Sequence, residues 1–153
     1  MFKISPRASV KLSIVLSGIF FLLCTIGAIA WPFMCRFFLE FSIIAKASTQ
    51  NFILLLLLGY GILAMLMVID LLLIKILFRV KKGEVFTKKT VSLIRGVSFS
   101  CFLLFVLFGL GGFFYRILLF VSIFALLLGV CLRVVKNVIE EATIIKNEND
   151  LTV

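Results

Sequence analysis

An all-α integral membrane protein, a bundle of four transmembrane helices with a C-terminal amphipathic helical extension, is the fold this sequence predicts. Three observations carry it. The 153 residues are 63% hydrophobic and 15% charged, with a mean hydropathy of +1.29, whereas soluble domains are about half apolar and about a quarter charged. The apolar residues gather into runs that match the roughly 20 residues a helix needs to cross a hydrocarbon core. The lysines and arginines, which leave the chain at +9, cluster between and beyond those runs. The length suits one membrane domain, 1–153, with no separate catalytic module.

Residues 12–35 carry no formal charge and form the first span. A basic start and Ala28-Ile29-Ala30 also give this stretch a resemblance to a cleavable signal peptide. The apolar run continues through Trp31 to Cys35, longer than a typical signal core, so an uncleaved anchor is the expectation. The second span, 52–78, is interrupted by Asp70 and Lys75. Residues 96–132 contain one charge, Arg116, and are too long for one crossing; Gly111, Gly112, Tyr115 and Arg116 read as a turn. Two spans at about 91–111 and 115–133 result, the last short unless Arg116 and Arg133 snorkel. In the tail, 134–153, Val135, Val138, Ile139, Ala142 and Ile145 recur at helical spacing, which predicts an amphipathic extension.

Orientation follows from the basic residues. Lys3, Arg7 and Lys11 precede the first span, Lys75 to Arg95 holds seven more, and Arg133, Lys136 and Lys146 close the chain. Only Arg36, Lys46 and Arg116 fall on the other side. Both termini and the central loop are therefore expected in the cytoplasm of a multi-pass plasma-membrane protein. Trp31 and Tyr115 are expected at the outer interface, where amphipathic rings belong.

Little in the chain suggests catalysis. Histidine is absent, which removes the commonest general base and a favoured metal ligand. Cys24, Cys35, Cys101 and Cys131 form no CxxC pair, so no metal, cofactor or redox site is expected. There is no GxSxG or HExxH motif and no pair of intramembrane carboxylates, so the expectation is a protein that is not an enzyme.

Asp70 is the acid that lies well inside a span, and intramembrane carboxylates are costly enough that function is a standing hypothesis for them. Lys75 sits about 140° around the helix and cannot pair with it. Gly59, Leu63, Leu66, Ile74 and Leu77 share the Asp70 face, which should turn inward. Arg95 and Arg133, at the inner ends of their spans, are the expected partners. A buried structural ion pair is the plain reading, and a proton or ligand site is the alternative.

Small residues suggest packing. Ser13, Ser17, Cys24 and Ala28 follow spacings of four, seven and four, and Gly96, Ser100, Leu107 and Gly111 repeat them. Such faces let membrane helices approach closely, so spans one and three are expected to cross through them. In the central loop, KKGEVFTKKT, Gly83 should end the second helix and Thr87 should cap the third. Phe86 and Val91 fit a hydrophobic staple. The loop is basic while Glu140, Glu141, Glu148 and Asp150 make the tail acidic, so the two are expected to dock. Lys81, Lys82, Glu84, Phe86, Lys88 and Lys89 of the loop, with those four acids, are the candidate partner-binding residues.

Gly83, Phe86 and Thr87, the run Leu93-Ile94-Arg95-Gly96 and the terminal Glu148-Asn149-Asp150-Leu151-Thr152, with the hydropathy profile, make the chain resemble a bacterial four-span family, domain of unknown function 2975. Val85 and Thr90 stand where that family often has proline and asparagine. Its genes often adjoin one for a small Cro/Xre-type helix-turn-helix regulator. The resemblance thus implies a membrane partner for a DNA-binding protein and supplies no catalytic residues.

The expected function is a regulatory or sensory module that works through a cytoplasmic partner, with the bilayer as its other contact and a homo-oligomer left open. Transport or bacteriocin immunity is the alternative, supported by Asp70 alone. Direct nucleic-acid binding is not expected, because the basic residues serve as topology signals. Cysteine labelling in intact cells tests the topology. A cysteine replacing Lys46 should react with an impermeant reagent from outside, and one replacing Glu84 only after the membrane is opened. Labelling of Lys46→Cys solely from the cytoplasm would reverse the scheme.

Overall fold

A computed structural model of the chain describes residues 6–40 and 49–151, with side chains described for 8–37 and 50–149. It contains four helices: α1 (Pro6–Glu40), α2 (Thr49–Lys81), α3 (Lys88–Gly111) and α4 (Ile117–Leu151). Each is long and apolar enough to cross a bilayer, and the protein is a multi-pass membrane protein. At 1.5 Å per residue the helices measure about 52, 50, 36 and 52 Å, against a hydrocarbon core of about 30 Å. All but α3 greatly overrun the core. No helix break falls at Arg133, so the fourth span and the amphipathic extension are one rod.

The helices pack as consecutive antiparallel pairs. Down the α1–α2 seam, Ser17 meets Asp70, Gly27 faces Leu63 and Trp31 lies on Gly59. Gly61 and Gly96 place α2 against Leu107 and α3 against Leu72. Ser98 meets Gly129 across the α3–α4 seam. No Cα atoms of α1 and α3, α1 and α4, or α2 and α4 come within 8 Å among the described residues. The bundle is thus a row in chain order, and α3 is its most buried helix.

This corrects the expected crossing of spans one and three. The small face of α1 is present, with Cys24 buried and Ser17 and Ala28 half-buried, but α2 fills it. Gly96, Ser100, Leu107 and Gly111 are likewise engaged elsewhere. Gly96 receives Leu72, Ser100 Oγ returns to the Gly96 carbonyl at 3.0 Å, Leu107 packs on Gly61, and Gly111 lies against Leu118 of α4. A small face specifies close approach and leaves the partner open. Short connections then favour the neighbour in sequence.

The α2–α3 and α3–α4 connections are closed by hydrogen bonds. α2 ends in a Schellman motif: Gly83, at φ +77°, donates to Val80 O at 3.1 Å, and Glu84 N–H reaches Arg79 O at 3.0 Å. Thr87 caps α3 by accepting from Thr90 N–H at 3.3 Å. The buried Thr90 hydroxyl donates to the Glu84 carbonyl at 3.0 Å and locks the loop onto the helix start. At the opposite end, Gly112 N–H closes on Phe108 O, and Phe114 and Tyr115 both donate to Gly111 O. This hairpin packs on the ends of α1 and α2 through Cys35, Leu55, Trp31, Phe52, Leu56, Phe114 and Tyr115. Trp31 Nε1 donates to Leu56 O at 3.3 Å, and the Arg36 guanidinium lies 6.0 Å from the Phe52 ring centre.

At Gly59 the Trp31 indole of α1 lies directly on the α2 backbone, and a Cβ there would fall inside the ring. Gly59→Ala should therefore cost about 1–3 kcal/mol by overpacking. Gly18→Ala, which meets nothing within 4 Å, should not destabilise. Thermal unfolding of the two variants in one detergent checks the contrast.

Candidate functional site

Two polar constellations stand out. The first is inside the membrane. Asp70 is 2% exposed, on the face of α2 that packs against α1, and its Oδ1 accepts a hydrogen bond from the Ser17 hydroxyl. Its Oδ2 is shielded and has no hydrogen-bond partner. The expected pairing with Arg95 or Arg133 is not formed. Leu72, two residues on and about 200° around the helix, is the side chain that meets Gly96 of α3, so Asp70 points away from the helices that carry both arginines. Arg95 instead pairs with Glu140 at 3.6 Å. Arg133 is exposed and borders a gap with Arg95, Phe99, Phe102 and Lys136.

The second constellation is at the end that holds the central loop and the tail. Lys136 Nζ and Arg95 Nη2 both reach Glu140, at 2.6 and 3.6 Å. The hydrogen bond from Lys136 holds the Glu140 carboxyl below its ordinary range, and Arg95 adds to this. One turn on, Thr143 is buried and its hydroxyl donates to Ile139 O at 2.7 Å. The tail thus lies along the first turns of α3, beside Lys88, Val91 and Ser92. Its packing face is not the stripe read from hydrophobicity. Val135, Val138 and Ile145 are exposed, Ile139 and Ala142 are half-buried, and Thr143 is the most buried. A threonine that bonds its own helix's carbonyl satisfies its hydroxyl locally and packs like valine.

Loop candidates mostly face outward. Lys81, Lys82, Lys88 and Lys89 are exposed, Phe86 is 43% exposed, and Glu84 pairs with Arg79 at 3.4 Å. Of the tail acids, Glu140 is engaged as described, and Glu141 and Glu148 are exposed. The side chain of Asp150 lies outside the described residues, as does Lys46. Ser13 is half-buried on α1. The four cysteines are free thiols, and no cluster of potential metal ligands occurs among the described residues.

Sequence reasoning missed the α3–α4 seam. Ser98 Oγ donates to Gly129 O at 2.8 Å, and a Cβ at Gly129 would stand 3.3 Å from that of Cys101. Ser122, Ala125 and Gly129 are buried at spacings of three and four. That stripe was in the sequence, hidden by the surrounding leucines and phenylalanines.

Comparisons place the chain. The profile of a family described as protein of unknown function (DUF2975) matches residues 6–153. Curated proteins and solved structures yield no match. With nearly its whole length covered, four antiparallel spans and the Gly83–Thr90 turn between the middle two, this chain belongs to the DUF2975 family.

Proposed function

We propose that this protein is a membrane-embedded regulatory module that acts by holding a soluble partner at its cytoplasmic face. The observation that carries the reading is the uncovered apolar side of the α4 extension. Val138 and Ile145 are 61 and 53% exposed, on the part of the helix that overruns the membrane. Thr143 and Glu140 anchor the opposite side to α3, so the apolar side is presented on a fixed support.

Charge adds to the surface. Lys81, Lys82, Lys88 and Lys89 form a basic rim on the neighbouring loop, and Glu141 contributes acid from α4. An apolar centre with a polar rim is the anatomy of a protein interface. Lipid alone would attract the basic rim, each charge worth about 1 kcal/mol near an anionic surface, and leave the apolar side in water. A small helix-turn-helix regulator, the neighbour that the family resemblance implies, is the proposed partner, held away from DNA while it is bound. Transport or immunity draws support from Asp70 only.

A photo-crosslinking residue at Val138 or Ile145 of the full chain should trap that regulator in native membranes. A chain truncated after Arg133 should still insert and should lose the capture. Undiminished capture by the truncated chain would remove the platform and bring transport or immunity forward.

A further inference from the structure

Asp70 has one satisfied oxygen and one that is not. Buried polar atoms are nearly always paired, and a carboxylate in a membrane interior is the most expensive kind to leave alone. Ser17 serves Oδ1; Oδ2 is without a partner, and Lys75, the cation closest in sequence, is exposed on another side of α2. The carboxylate borders a cleft of about 570 Å³ between α1 and α2. Leu16 and Phe20 wall it on one side and Leu73, Ile76 and Leu77 on the other, with Ser17 bonded to Asp70 and Ser13 one turn away along α1. The cleft opens toward lipid, since Leu16 and Leu73 are 56 and 40% exposed. The backbone of α1 comes close to no helix but α2, so among the described residues no third helix covers the cleft.

We infer that this cleft binds a lipophilic monocation, an alkylammonium whose head pairs with the Asp70 carboxylate and whose tail lies along the apolar walls. The chemistry selects this class. An anion is repelled by the carboxylate. A neutral hydrocarbon leaves Oδ2 unpaired. A hydrated metal ion needs several oxygen ligands, and one carboxylate with two hydroxyls amid leucines offers few. A primary ammonium brings three donors, enough for the Asp70 carboxylate and the Ser17 hydroxyl, and its chain replaces lipid on the walls at little cost. Small-molecule sites share this form, mostly apolar with a few convergent polar groups. The inference concerns the chain alone and does not depend on a cytoplasmic partner.

The test is equilibrium binding of radiolabelled dodecylamine and dodecanol to the full chain in phosphatidylcholine nanodiscs, with empty discs subtracted. The amine should bind saturably, at least about tenfold more tightly than the alcohol, because the two share a tail and differ in the charge-assisted hydrogen bond. Asp70→Asn should abolish that preference, and Asp70→Glu should retain part of it. Leu73→Trp, which fills the cleft and keeps the carboxylate, should weaken the amine at least about tenfold and guards against a folding defect in the Asp70 variants. Equal binding of amine and alcohol by the unmodified chain overturns the site. So does full-strength amine binding by Leu73→Trp.

Discussion

In hydrocarbon every peptide N–H and C=O must be satisfied within the protein, and this constraint governs the chain from end to end. It explains why four long helices account for most of the described residues. It also explains the connections between them. The Gly83 turn returns two carbonyls of α2 to hydrogen bonds, and Thr87 and Thr90 recover an amide of α3 and the Glu84 carbonyl. The Gly112 hairpin satisfies its own amides before α4 begins. Serine and threonine hydroxyls inside the spans obey the same rule: Thr25, Ser100 and Ser122 each donate to a carbonyl three or four residues back.

Once the backbone is satisfied, side chains decide which helix lies beside which. Lipid and leucine are equally apolar, so helices associate by close fit and by polar contacts. Each seam of the row uses both. Ser17–Asp70 and Trp31–Gly59 join α1 to α2, small residues against leucines join α2 to α3, and Ser98–Gly129 joins α3 to α4. The outward faces carry the large apolar residues, among them Leu22, Leu23, Ile29, Phe33, Phe120 and Phe124. These are exposed on the outside of the row and bear no information about which helix neighbours which.

The division between what sequence discloses and what it conceals follows from that physics. The four long apolar helices were legible because hydrocarbon thickness sets a length that charge-free runs must meet. The cap at Thr87 and the stop at Gly83 were legible because backbone rules are local. The inward face of Asp70 was legible because a helix has a fixed period. Its partner was not, since choosing among Ser17, Arg95 and Arg133 requires the order of helices in space, and a small-residue face matches any bulky one. The pairing of Glu140 with Arg95 and the burial of Thr143 escaped for another reason: hydrophobicity marks the apolar side of the tail, and there the tail packs through polar side chains satisfied close at hand.

The unbroken course of α4 has a mechanical consequence. Beyond Gly129 the helix contains neither glycine nor proline, the residues at which helices bend most readily, and at Gly129 it bears on α3 through Ser98. Taken as a rod on that fulcrum, α4 has one arm of about 18 Å to Ile117 and another of about 33 Å to Leu151. A tilt at the Gly112 hairpin is therefore delivered almost doubled at the far tip. Opposing it are the Arg95–Glu140 ion pair and the seat of Thr143, a light brake on a long lever.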